Sequence, residues 1–554
     1  MLKNKKKKKS TKKQQKPETP TLSLKEKLAQ KRKAAKARKE LTSLLSTAIG
    51  GGVFLGTILF LVAGIKLALP GMMAVIVLTL SYKYPFPALY AFMIYVPFGG
   101  TIVYLLGNSP VLQLAKDGFY LPAVIAIWQN TRKQRMPFLI PQGIKTPLFI
   151  LLGLCLLTLL CVNGLQQISP PPPKAFAPPT KEMPLGMGIL GLKVFLGYLP
   201  LITCGYYLIK NKRDFLFLSR LQVSLILACC VLGLIQRVML EVGICQGTRG
   251  VVGGALFKAT LDARCFIGGS LVFSPGFMIR LPGTFVAPWQ WGWFLISSTF
   301  FTFATGFSDP SILWRIVSLG SLALVFVNAV ICGQRIALAL VPTCFILLLL
   351  LTGQLSSPKR FIPIIVGLVL VLGGAISSNP EMIQSSLDSF ISRWEASPPY
   401  EFITNQFHEV LHFLDRDGTP LGIGLGRATN SARVLGKTKL IETYYPKIMY
   451  EVGVFGALGF LALVTTLTII CFRTYRSIKN RIFRGYAAAL WVFILFISYN
   501  TYYYPLDVDP VAVYYWFFAG ILLKLPEIDK LEKLKEQQVQ PKNNQKKKKN
   551  KNLK

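Results

Sequence analysis

Apolar residues in this chain come in long unbroken runs rather than in an alternating or amphipathic pattern. About fourteen such runs can be read, at roughly residues 45–65, 68–82, 85–106, 117–130, 146–164, 185–209, 215–236, 284–306, 310–331, 335–353, 361–377, 448–472, 485–504 and 511–524. A helix needs about 20 apolar residues to cross the hydrocarbon layer of a bilayer, so most of these runs predict transmembrane helices. The runs at 117–130 and 511–524 are short, which allows the count to fall to about twelve. The expected fold class is therefore an all-α polytopic membrane protein with about 12–14 transmembrane helices. The sequence shows neither a repeat of 20–50 residues nor the inverted repeat common in transporters.

The loops between the runs carry the orientation signal. Arg132, Lys133 and Arg135 follow the fourth run, Lys210, Lys212 and Arg213 the sixth, and Lys359 and Arg360 the tenth. Arg473, Arg476, Lys479, Arg481 and Arg484 follow the twelfth, and a Lys-rich tail follows the fourteenth. Cytoplasmic loops are the ones enriched in Lys and Arg, so both termini are expected in the cytoplasm. Lys66 and Arg335 are isolated exceptions. This topology puts three segments outside: a Pro-rich stretch at 165–184, which reads as a stiff polyproline spacer, a loop at 237–283, and a polar island at 378–447.

Five regions follow. Residues 1–42 form a basic tail, 43–377 an N-terminal transmembrane bundle, 378–447 a large extracytoplasmic loop, 448–524 the last transmembrane helices, and 525–554 a second basic tail. Both tails are aromatic-free and low in complexity, which predicts disorder, although residues 22–40 could form a basic surface helix. The first apolar run lies behind a long basic arm without a small-residue cleavage pattern, so it is expected to remain as the insertion signal.

Composition agrees with this reading. Of 554 residues, 52% are hydrophobic and only 16% charged, where a soluble domain has about 25% charged. The net charge of +39 is concentrated at the ends: residues 1–40 hold 17 Lys and Arg against three Glu, and residues 525–554 hold ten Lys against four acids. Tethered beside a bilayer, such strings are expected to rest on anionic lipid headgroups rather than on nucleic acid. Most of the ten cysteines lie inside apolar runs as small hydrophobes, whereas Cys245 and Cys265 share one outer loop, where a disulfide is possible.

Candidate chemistry gathers at the outer face. Arg280 and Arg393 are expected at the membrane–water boundary, where a guanidinium fits a diphosphate with paired donors; both could instead snorkel or pair with carboxylates. Glu442, beside the twelfth run, could act as a general base from a partly dry position, or pair with Lys447 or an arginine. Gly422, Gly424 and Gly426 make a flexible turn that could approach phosphate, or a plain turn. The competing motif is His408-Glu409-Val410-Leu411-His412, an HExxH sequence of the zinc-protease kind. It would need a third ligand, with Asp415, Asp417 and Glu442 as candidates.

Taken in order, three pieces of sequence carry a resemblance. Arg280–Phe285 reads RLPGTF, Ser392–Ser397 reads SRWEAS ahead of TPLGIGLGRATN at Thr419–Asn430, and Glu442–Gly456 reads ETYYPKIMYEVGVFG. Over residues 140–525 the chain resembles the O-antigen ligase and polymerase superfamily of bacterial membrane glycosyltransferases, and it is similar to a cyanobacterial branch linked to hormogonium polysaccharide biosynthesis. The resemblance implies a multi-pass protein of the bacterial plasma membrane. Its donor would be a glycan on a polyprenyl diphosphate and its acceptor a sugar hydroxyl of a growing or attached polysaccharide. It also implies no metal or other cofactor, a diphosphate held by Arg280 and Arg393, and a base or acceptor-orienting role for Glu442. Gly422, Gly424, Gly426, Tyr444, Tyr445 and Lys447 would shape the substrate site. Ligases of the family commonly have His where this chain has Glu442 and Asn where it has Thr443, which favours exopolysaccharide growth over transfer to lipid A. A membrane zinc protease and a polysaccharide transporter remain as alternatives; few charges lie deep in the spans, which counts against the transporter.

Overall fold

A computed structural model describes residues 24–107, 115–169, 182–249, 260–273, 278–354 and 380–551, with a few isolated positions between them. The chain is an all-α polytopic membrane protein. Among the described residues nine helices are long and apolar enough to cross a bilayer, and two shorter apolar helices accompany them. More than half of the eleventh apolar run, at 361–377, lies outside the described residues.

The chain forms two compact units, Met1–Leu80 and Ser81–Lys554. In the first, α1 (Leu24–Ala63) turns at Gly64, whose φ of 73° suits glycine, into α2 (Ile65–Lys83). The two pack through small residues: a Cβ on Gly52 would lie 2.9 Å from the Met72 carbonyl oxygen. The helix that 22–40 could form is present from Leu24 on, as the first part of α1, and residues 22 and 23 lie outside the described residues.

The second unit holds α3 (Pro85–Leu105), α4 (Asp117–Lys133), α5 (Gln142–Ile168), α6 (Pro184–Leu208), α7 (Lys212–Glu241), α8 (Pro288–Ser308), α9 (Ile312–Ile331) and α10 (Arg335–Leu351). After these come α11 (Pro380–Ala396), α12 (Pro399–Asp417), α13 (Tyr444–Ser477), α14 (Arg481–Tyr499) and α15 (Val511–Lys551). The apolar runs thus became helices nearly end for end. The last one continues past 524, where a disordered tail was expected. Leu525 and Ile528 are buried, and Asp529 accepts from the Lys479 amide (3.0 Å) and from Lys533 (2.7 Å), so packing carries the helix out of its apolar stretch.

The centre is α8. Eighteen of its 21 residues are buried, although it contains Ser297, Ser298, Thr299, Thr302 and Thr305. Three of these hydroxyls find partners in the helix itself, while Ser297 Oγ has none among the described residues. Ser298 donates to the Phe294 carbonyl (2.7 Å), Thr299 to that of Leu295 (3.2 Å) and Thr302 to that of Ser298 (2.7 Å). Around α8, Phe300 and Phe301 meet Phe493 of α14, and Phe301 lies 4.3 Å from Phe518 of α15, ring centre to ring centre.

Two small antiparallel hairpins precede α8. In the first, β1 (Arg264–Cys265) pairs with β2 (Gly268–Gly269); in the second, β3 (Leu271–Phe273) pairs with β4 (Met278–Arg280), Leu271 opposite Arg280. They are tied to the end of α7 by the Cys245–Cys265 disulfide and by Gln236, which donates to the Cys265 carbonyl (3.0 Å).

Close helix crossings depend on glycine. A Cβ on Gly520 of α15 would lie 1.8 Å from the Ile202 carbonyl oxygen of α6, and one on Gly205 would lie 2.3 Å from the Phe517 carbonyl oxygen. Both obstacles are backbone and neither can yield without separating the helices. We expect Gly205→Val or Gly520→Val to cost about 3 kcal/mol or more of stability, seen as a lowered thermal midpoint and poor recovery of monodisperse protein from detergent; wild-type behaviour of both variants would refute this crossing.

Candidate active site

The site is assembled at the end of the bundle where β4, the start of α10, the strand before α13 and the loop before α15 converge. Leu281 donates its amide to the Cys332 carbonyl (3.1 Å), placing β4 beside the turn that leads into α10. Gly333, at φ 67°, makes the approach possible: a Cβ there would lie 2.0 Å from the Ile279 carbonyl oxygen. Arg280, the last residue of β4, and Arg335, the first of α10, are thereby brought to one site.

Glu442 arrives from the other side. Its amide and the Thr443 hydroxyl both donate to Oε1 of Gln406 on α12 (2.9 and 3.0 Å), and Thr443 bridges to Tyr502. Tyr444 donates its amide to the Thr501 carbonyl (2.6 Å). The loop that follows carries Tyr502, Tyr503 and Tyr504. Trp293 of α8 holds it by donating Nε1 to the Tyr503 carbonyl (3.0 Å). Tyr503 and Tyr504 both adopt left-handed backbone (φ 55° and 33°), which side chains other than glycine rarely do and which costs on the order of 1–3 kcal/mol each. Strain of this kind persists only where the surroundings fix it, and here the fixing contacts come from α8, α12 and α13.

The electrostatics are those of one half-buried carboxylate among two guanidinium groups and phenols. Burial pushes the Glu442 carboxyl up, while Arg280 and Arg335 pull it back without cancelling the rise. Burial also pulls the Arg280 guanidinium down from its ordinary value; Tyr503 and Glu442 support its charge and Arg335 opposes it. Tyr502 and Tyr504 are raised, first by burial, with Glu442 among the charges that contribute. Among the described residues two guanidinium groups and one carboxylate share this partly dry recess, a field that suits an anion.

The sequence-based candidates divide. Arg280 and Glu442 meet. The Arg393 side chain lies outside the described residues, although its helix, α11, is present. Arg335 was read only as an exception to the loop-charge pattern, and that exception was the signal: a cation where topology does not call for one. Tyr502–Tyr504 carried no motif.

The glycine turn has a clear structural task. Residues 421–427 run as a series of turns against α5. The Leu421, Ile423 and Leu425 carbonyls accept from Thr158 (3.0 Å), Gln166 (2.8 Å) and Asn163 (3.0 Å) of α5. Asn163 also accepts from the Leu425 amide (2.9 Å) and donates to Pro184 (2.9 Å). Gly422, Gly424 and Gly426 all have positive φ. Added Cβ atoms would lie 2.7 Å from the Glu451 carbonyl, 3.1 Å from the Asn163 side chain and 2.1 Å from the Met187 carbonyl oxygen. Glu451 accepts from the Ala428 amide (2.8 Å) and the Thr429 hydroxyl (3.0 Å), and Gly453 breaks α13 with φ 79° against Pro420. The chain then returns through Asn430, which donates to the Tyr504 hydroxyl (3.4 Å), towards Glu442. These residues position the site.

Tyr444, Tyr445 and Lys447 are turned into the bundle. Tyr444 is buried against Phe460, Tyr445 donates to the Ser498 carbonyl (2.6 Å), and Lys447 forms a buried ion pair with Asp507. His408 and His412 are exposed on α12, while Glu409 between them pairs with Lys439 (2.8 Å). Among the described residues no group of three His, Cys, Asp or Glu is placed to hold a metal; the Asp417 side chain lies outside them.

No family model matches the sequence, and no curated protein matches it.

Asn163 is the key to the turn. Removing its side chain would leave the buried amide and carbonyl of Leu425 without partners, at a cost of about 1–3 kcal/mol each. We expect Asn163→Ala to expose the 421–440 segment to limited proteolysis while the helices remain intact; unchanged cleavage would rule out this docking.

Proposed function

We propose that this protein is a membrane glycosyltransferase of the O-antigen ligase and polymerase kind. In this reading it moves a glycan from a polyprenyl diphosphate to a sugar hydroxyl at the outer face of a bacterial plasma membrane, in surface polysaccharide or exopolysaccharide assembly. The observation that carries the reading is the convergence of Arg280, Arg335 and Glu442 at one end of a transmembrane bundle, where a lipid-held anion meets water.

The acceptor oxygen attacks the anomeric carbon of the donor sugar as the bond from that carbon to the diphosphate breaks. The electron pair of the broken bond stays on the diphosphate, and the guanidinium groups of Arg280 and Arg335 stabilise the charge that grows there. The acceptor proton passes to the Glu442 carboxylate. Arg393 is a further candidate for the diphosphate. The buried Gly422–Gly426 turn, Tyr444, Tyr445 and Lys447 act by holding the strand that carries Glu442. With both termini in the cytoplasm, as the loop charges suggest, the site faces outwards. The zinc-protease alternative gains no support from the exposed His408 and His412.

Polysaccharide from cells with matched levels of each variant tests the assignment. Arg280→Ala and Arg335→Ala should each lower product by about 100-fold or more, as loss of a preorganised charge donor does, and Glu442→Gln by a similar factor. His408→Ala should leave product unchanged. Normal polymer from both arginine variants, or loss only in His408→Ala, defeats the proposal.

The pH dependence has a definite sign. Glu442 works as the carboxylate and burial lifts its pKa, so activity should fall on acidification at a higher pH than an ordinary carboxylate would give. Arg335→Gln removes a cation that opposes the lift, so the acid limb of its residual activity should move to higher pH still. Glu442→Gln should abolish that limb; retention of the limb in this variant would remove Glu442 from the role of base.

A further inference from the structure

The opposite end of the bundle carries a groove unrelated to this chemistry. The 30 residues of α7 span about 45 Å. Arg237 near its C-terminal end reaches the Ile331 carbonyl (3.4 Å), beside the β-hairpins, so Lys212 lies at the far end. The same holds for Trp314 at the start of α9 and for Glu532 and Lys535, some 30 Å along α15 from its first residue. Between these three helices opens a groove of about 820 Å³.

Its lining is graded. The rim carries Lys212, Arg213, Arg220 and Lys535, with Glu532 as the one acid in the wall among the described residues. Arg220 is fixed by a bidentate pair with buried Asp309 (3.0 and 2.9 Å) and lies 5.5 Å above the Trp314 ring. Glu532 is bound to Lys535 (2.8 Å). Four cations against these two carboxylates leave a positive surplus. Asp214, in the first turn of α7, is occupied by the helix cap, accepting from the Lys210 amide (3.2 Å) and the Asn211 side chain (3.0 Å). Towards the membrane the wall becomes apolar through Leu216, Phe217 and Leu221. It runs on to a lipid-facing surface where Phe217 is 57% exposed and Ile316 63% exposed.

We propose that this groove is a binding site for one anionic phospholipid, its phosphodiester held at the Lys212–Arg213–Lys535 rim and its acyl chains lying along Phe217 and Trp314. Charge complementarity selects the headgroup, and the polar-to-apolar gradient matches a molecule with a charged head and two hydrocarbon tails. A soluble anion would use only the rim. The site is a recess built by three packed helices, one of them the helical first part of the C-terminal basic tail, which contributes Lys535, and Trp314 sets its depth as interfacial tryptophans do.

The test uses purified full-length protein in detergent, titrated with phosphatidylglycerol, phosphatidylcholine or inorganic phosphate, with the thermal midpoint and native mass spectrometry of bound lipid as readouts. Phosphatidylglycerol should stabilise the wild type and remain bound as one copy, whereas the other two should not. The triple variant Lys212→Ala/Arg213→Ala/Lys535→Ala should bind roughly tenfold or more weakly. Its lipid-free midpoint should match wild type, because Arg213 and Lys535 are exposed. Should the triple variant fold poorly, Arg213→Glu/Lys535→Glu should show the same loss. Arg473→Ala/Arg476→Ala, another exposed basic pair, should bind as wild type does. Equal stabilisation of wild type and triple variant, or equal protection by phosphatidylcholine or inorganic phosphate, overturns the proposal.

Discussion

Holding two guanidinium groups and a carboxylate together in a half-dry recess is the constraint on which this end of the bundle depends. Charges leave water at a cost that neighbours offset, and the buried Arg280 guanidinium is supported by Tyr503 and Glu442 opposite. The four chain segments that supply these groups are far apart in sequence. Each is held by contacts of its backbone: β4 against the Cys332–Gly333 turn, the 442–443 strand against Gln406, and the tyrosine loop against Trp293 and Thr443.

The polar island is best understood as a plug fitted into the membrane bundle. Its glycine turn enters between helices, and every second carbonyl is capped by a side chain of α5. Backbone at this depth is tolerated only when protein groups take over the hydrogen bonds of water. The glycines give the turn its close approach, and Glu451 and Gly453 receive it from the other side. The motif pieces that identify this region in sequence are thus largely devices for seating it.

That division explains what was legible in the sequence. The helices could be read because span length and loop charge act locally, and the disulfide between Cys245 and Cys265 was at least admissible from their shared loop. Arg280 and Glu442 were found as polar groups next to spans. Arg335 was discounted because a lone cation at a helix start carries no pattern; only the turn at Gly333 brings it to Arg280. Tyr502–Tyr504 matter through backbone conformation, which composition does not encode. The centrality of α8 was also hidden, since its Ser and Thr residues lower its hydropathy, although its own carbonyls take up the hydroxyls of Ser298, Thr299 and Thr302. The continuation of α15 past 524 depends on Ile528 and Asp529 finding partners on other segments.

One detail of α5 has a wider meaning. Thr158–Asn163 is a π turn, the geometry that results when a helix accommodates one surplus residue. Each residue of an α-helix turns the chain by about 100°. The surplus residue sets the azimuth of Asn163 and Gln166 relative to everything before Thr158. Trimming this stretch by a single amino acid would yield a more regular helix by every local criterion, yet would swing both amides away from the glycine turn they clasp. Here an apparent imperfection of the spiral works as a vernier, and regularising it would cost the protein its alignment.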